Sequence, residues 1–138
     1  MKNYVLVFLA FLSITFTSQE SIAMPPLPTS CPYTSLIKNV PFSQAFDFMG
    51  YFVASVDFFG TDSVWMFIIG PITAQSEADA MTQGGEVVQN LSGTPIPEYE
   101  GNNLVCNYNL PAPYTAIAQY AGDQMPLRTR IPPITVVF

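Results

Sequence analysis

The chain has 138 residues, with 10 acidic and 4 basic side chains, a net charge of −6, no histidine, 13 prolines and two cysteines. Without imidazole it has no Ser-His-Asp or Cys-His nucleophile pair, no His-ligated zinc or haem and no switch near neutral pH, and two thiols are too few for a four-thiolate metal site. The acidic balance argues against a basic nucleic-acid footprint and against adsorption to anionic lipid.

Residues 1–23 have the three regions of a secretory signal peptide: Lys2, an apolar run over residues 4–16, and a polar end in which Ser21 and Ala23 supply small residues. The run is about 13 residues, short of the roughly 20 that span a bilayer as a helix, so a cleaved signal is expected. The mature chain would then be periplasmic or extracellular, with no membrane span. Two cysteines in an exported chain predict a Cys31–Cys106 disulfide.

Residues 24–30 are a proline-rich leader, because Pro25, Pro26 and Pro28 lack the amide donor that helix or central strand needs. Ser30-Cys31-Pro32 reads as a helix start, with Leu36, Ile37 and Val40 on one side of the turns that end at Pro41. Aromatic and β-branched residues predict strands near 48–57 and 63–70, joined by Phe59-Gly60-Thr61-Asp62. In the first strand Phe48, Phe52, Ala54 and Val56 oppose Met49, Tyr51, Val53, Ser55 and Asp57; in the second Val64, Met66 and Ile68 oppose Trp65, Phe67 and Ile69. Both faces are apolar, so one should carry a helix and the other a tail, a second subunit or a ligand.

Ser76-Glu77-Ala78-Asp79 is a capping box opening a helix to about Leu91, with Gly93 as its stop. Its stripe is Ala80, Met81, Gly84, Val87, Val88 and Leu91, and Gly84-Gly85 suits close approach to a bulky strand residue. Residues 94–101 read as an exposed acidic loop, and residues 103–110 alternate as a strand with Leu104, Cys106, Tyr108 and Leu110 on one face. A last strand follows over residues 114–120. The predicted fold is α+β. It is a four-stranded antiparallel sheet in the order strand, strand, helix, strand, strand, with one main helix on a face and a short N-terminal helix tied by the disulfide. Residues 31–122 form the single domain, and the proline-broken apolar tail, residues 123–138, suits an edge strand or a segment that orders on binding.

Ser35-Leu36-Ile37-Lys38 matches the S-x-x-K pattern of penicillin-recognising serine enzymes, but the companion S-D-N and K-T-G motifs are absent. The acids Asp57, Asp62, Glu98, Glu100 and Asp123 follow no calcium-loop spacing, so no metal is expected. Phe48, Phe52, Trp65 and Phe67 offer flat walls that could sandwich a haem, while tyrosines could offer it phenolate ligation and Met49, Met66, Met81 and Met125 thioether ligation.

Cys31-Pro32, Gly60-Thr61-Asp62-Ser63-Val64-Trp65-Met66-Phe67 with Ile69-Gly70, Ser76-Glu77-Ala78-Asp79-Ala80, and Val105-Cys106-Asn107-Tyr108 resemble a family of small secreted proteins of unknown function from intracellular gammaproteobacteria. One member of that family is called a hemin-binding protein, so the resemblance implies export and this fold and admits haem as ligand. The expected role is a non-enzymatic binding domain. It would present an aromatic sheet face, with Tyr51, Trp65, Phe67, Tyr108 and Tyr120 as candidate contacts, to a hydrophobic ligand or protein partner. Haem bound through Tyr or Met is the first alternative, and a hydrolase using Ser35 with Lys38 the second.

Overall fold

The computed structural model describes residues 26–122, Asn102 excepted, so the predicted signal segment, the first two leader residues and the tail lie outside the described residues. In chain order the elements are α1 (Thr34–Ile37), β1 (Gln44–Asp47), β2 (Tyr51–Asp57), β3 (Trp65–Ile72), α2 (Glu77–Val87) with a 3-10 turn at Val88–Asn90, β4 (Glu98–Glu100), β5 (Asn103–Tyr108) and β6 (Thr115–Tyr120). The strands form one antiparallel sheet in the order β1-β2-β3-β6-β5-β4. The fold is α+β with one main helix, but the sheet has six strands where the sequence predicted four.

The two additional strands are the short edges. The single strand predicted near 48–57 is a hairpin, because the chain reverses through Phe48, Met49 and Gly50 and pairs Asp47 with Tyr51. Met49 turns with φ 51° and Gly50 with φ 114°, in the left-handed region. The predicted loop 94–101 contains β4, which pairs Glu98 with Val105 and Glu100 with Asn103. Its acids and flanking Pro95 and Pro97 suit an edge that must not recruit another chain.

The N-terminal helix also begins later than predicted: α1 starts at Thr34, and its N-cap Tyr33 supplies no side-chain cap. Cys31 and Pro32 are instead held against the sheet by the Cys31–Cys106 disulfide, with Cα atoms 5.9 Å apart, and by the Tyr108 hydroxyl, which donates to the Pro32 carbonyl at 2.7 Å. Closing 75 residues of sequence in this way stabilises the fold by about 4 kcal/mol in the chain-entropy account.

The N-cap half of the capping box forms as the spacing predicts, while the returning Asp79 carboxylate meets the Gln75 amide in place of that of Ser76. Ser76 Oγ accepts from the Asp79 amide at 3.1 Å, and Asp79 Oδ2 accepts from the Gln75 amide and the Gln83 side chain. α2 lies over β1, β2 and β3, burying Ala80 and Gly84. The two glycines of this helix differ. A Cβ at Gly84 would stand 2.6 Å from Val53 Cγ2 and 3.2 Å from the Phe42 ring, whereas one at Gly85 would meet nothing within 4 Å. Gly84→Ala should therefore destabilise by about 1–3 kcal/mol through overpacking. Gly85→Ala should stabilise by roughly 0.5–1 kcal/mol through helix propensity. Urea midpoints of the two variants check this, and shifts of the same sign would contradict the packing described.

Candidate functional site

Side-chain alternation gives the sheet two apolar faces. On the first, cross-strand pairing lines up Trp65 with Tyr120, Phe67 with Ala118 and Cys106, and Ile69 with Ala116 and Tyr108. Ala116 and Ala118 are small and buried, so β6 forms a trough between larger neighbours. The Tyr108 ring crosses it to meet Phe67 edge-on at 5.8 Å, and the disulfide sits beside it. Trp65 packs edge-on to Tyr120 at 5.8 Å and donates its indole N–H to Thr61 Oγ1 at 3.1 Å.

The five residues singled out from sequence therefore do share a face. It is the face covered by α2, α1 and the disulfide-held segment: Trp65 and Phe67 are fully buried, Tyr108 is buried, and Tyr51 and Tyr120 pack partly buried against the same core. Their aromatic surface fills the interior of the domain. Ser55 lies in this interior too, with its Oγ buried and lacking a hydrogen-bond partner.

The opposite face is built differently. Ala54, Met66 and Ile68 form a second buried cluster, with Phe46, Phe52, Val56 and Ile117 packed partly buried around it; every member belongs to a strand or its pairing partner and none to a helix. Three cross-strand rows make it: Phe46, Phe52 and Gly70; Gln44, Ala54, Ile68, Ile117 and Asn107; Val56, Met66, Gln119, Val105 and Glu98. The Phe52 ring occupies the place of the missing Gly70 side chain, since a Cβ there would stand 2.5 Å from its Cδ1. The register shift between Tyr51 and Val53 sets Gly70 and Pro71 together opposite that ring, a bulge that accommodates a proline in a central strand. At the β4 edge this face turns acidic, where Glu98 and Glu100 stand and Asn107 Nδ2 donates to Glu100 Oε1 at 2.9 Å. The sequence pattern held this signal in the alternation of Phe52, Ala54, Val56, Met66 and Ile68, but the larger rings of the other face outweighed it.

Ser35 is exposed on α1, and among the described residues no hydrogen bond joins its hydroxyl to Lys38. No group of three or more metal-ligating side chains occurs among the described residues. An open cleft of about 640 Å³ runs between residues 29–35 and 93–96, lined by Cys31, Tyr33, Thr34, Thr94 and Ile96 and bridged by Thr34 Oγ1 donating to the Gly93 carbonyl. It brings together no charged groups.

These features define a disulfide-closed α+β domain with one main helix and a second apolar sheet face. A family model described as Domain of unknown function (DUF4949) matches residues 30–130, and the chain belongs to that family. Neither the curated proteins nor the solved structures gave a match.

Burial raises the Tyr108 phenol well above its ordinary pKa. The sign of its effect on stability follows from linkage. Above about pH 10 the unfolded phenol ionises while the folded one keeps its proton, so the unfolded state binds fewer protons and stability falls as pH rises. Tyr108→Phe should cost about 1–2 kcal/mol at neutral pH by leaving the Pro32 carbonyl unpaired, and should flatten the alkaline decline relative to the native chain. Thermal unfolding of both proteins between pH 7 and about pH 11 measures this. Parallel declines would show that Tyr108 does not carry the linkage.

Proposed function

We propose that this protein is an exported, non-enzymatic binding domain whose site is the second sheet face, taking an apolar small ligand or the apolar surface of a protein partner. The observation that carries this reading is the buried cluster of Ala54, Met66 and Ile68 ringed by the partly buried Phe46, Phe52, Val56 and Ile117, an apolar sheet face to which no described helix contributes. Such a surface gives affinity by area and selects by shape. Export is supported by the disulfide, which belongs to an oxidising compartment, and by the signal-like first 23 residues.

Haem is the narrower form of the same reading. Tyr108 is ill suited as its ligand, because a phenolate there would be buried and would forfeit the bond to the Pro32 carbonyl. Met66 stands on the second face and is the thioether such a ligand would use.

Nile red and hemin, each titrated into the oxidised mature protein, test the proposal. Saturable binding is expected, with Phe52→Ser and Ile117→Ser weakening it about tenfold, the equivalent of roughly 1.4 kcal/mol of lost apolar contact. Tyr99→Ser, on the exposed edge, should leave it unchanged. Native affinity in both face variants would place the site elsewhere. A shifted Soret band that disappears in Met66→Leu would single out haem.

A further inference from the structure

We propose that the cleft between residues 29–35 and 93–96 is a second binding site, which takes a neutral saccharide by stacking a sugar ring on Tyr33 and exchanging hydrogen bonds with serine and threonine hydroxyls. The site goes beyond the sheet-face reading, because the cleft shares no residue with the cluster around Met66.

Three observations carry it. First, both walls are fixed before any ligand arrives. One is tied to β5 by the Cys31–Cys106 disulfide and the Tyr108–Pro32 hydrogen bond, and to the β2–β3 turn by the Tyr33 amide, which donates to the Phe59 carbonyl. The other is tied to the residue after β5, because Ser92 and Asn109 exchange both backbone hydrogen bonds, and Pro95 stiffens it. The Thr34 hydroxyl joins the two walls by donating to the Gly93 carbonyl. A site ordered in advance loses little entropy on binding.

Second, the cleft presents an aromatic ring that the core does not use. Tyr33 lines it and stays 56% exposed, although its ring rests over Gly60, where a Cβ would stand 2.7 Å from Cδ2. The ring is thus held in place without being buried. Ile96, also exposed, extends the apolar surface on the other wall.

Third, the polar side chains of the cleft carry hydroxyls and no charge. Thr29, Ser30, Ser35 and Thr94 line it, and among the described residues no hydrogen bond engages their hydroxyls. A hydroxyl both donates and accepts. A pyranose ring offers the counterpart, with C–H groups on its face for an aromatic ring and a rim of hydroxyls that donate and accept in turn. A charged ligand would find no ion-pair partner here. The cleft volume of about 640 Å³ is that of a small-ligand site. A polyproline segment also docks on aromatic side chains, but in grooves lined by several of them, and this cleft has Tyr33 alone.

The test titrates maltotriose, cellotriose and tri-N-acetylchitotriose separately into the disulfide-bonded protein and follows binding by calorimetry. Saturable binding of at least one of these sugars is expected. Tyr33→Ala should weaken it about tenfold, and Thr94→Val, which removes a hydroxyl at nearly constant shape, should weaken it several-fold. Phe52→Ser, on the second sheet face, should leave it unchanged, with far-UV circular dichroism confirming that each variant keeps its fold. Failure of all the sugars to bind, or native affinity in Tyr33→Ala, would overturn the inference. So would saturable binding of a polyproline peptide in place of the sugars, since the cleft would then be a peptide groove.

Discussion

The central strand β3 is apolar on both sides, with Trp65, Phe67 and Ile69 facing one way and Met66 and Ile68 the other, and all five are buried. Burying each such side chain is worth about 1.5–3 kcal/mol, so leaving either side open to water would forfeit a large part of a small domain's stability. The sheet therefore needs two covers, while the described residues supply one long amphipathic helix, α2. The rest of the architecture follows from how that shortage is met.

On the first face the helix reaches only half way. α2 lies over β1, β2 and β3, and the other half is closed by a segment with little regular structure. That segment is fixed covalently by Cys31–Cys106 and by the Tyr108–Pro32 hydrogen bond, and the small Ala116 and Ala118 make room beneath it. A disulfide thus does work that a second helix does in larger domains. On the second face the described residues provide apolar rows and an acidic margin. Function and stability meet there, because the surface proposed to bind is also one whose exposure destabilises the fold.

Much of this was legible in the residues. Ser76 and Asp79 announced the main helix, the even pair of cysteines behind a signal-like segment announced the bridge, and strand alternation sorted Trp65, Phe67 and Tyr108 onto one side. Two edge strands were not legible, for identifiable reasons. The β1–β2 turn places Met49 in the left-handed region with its side chain 82% exposed, so only Gly50 marks a reversal inside an otherwise strand-like run. β4 is three residues long and preceded by Pro95 and Pro97, below the length at which periodicity is readable. The N-terminal helix was misplaced because Pro32, a good first-turn residue, is held outside the helix by its contacts to β5. The five candidate residues share a face, and it is the one the helix covers; spacing reports which residues share a face and not which face the helix takes. Phe59 illustrates the same limit: its left-handed φ of 45° is offset by burying its ring against Phe67, a long-range contact that no local pattern reveals.

Methionine oxidation tests most directly whether β3 is covered on both sides. Met49 is 82% exposed and Met66 2%, and cleavage before Asp57 and Asp62, which lie between them, puts the two thioethers in separate peptides for mass spectrometry. Brief peroxide treatment of the disulfide-bonded protein should convert Met49 rapidly and leave Met66 unreacted until the protein is denatured. Oxidation of Met66 at the rate of Met49 in the folded protein would mean that the second face is bare, contradicting the account.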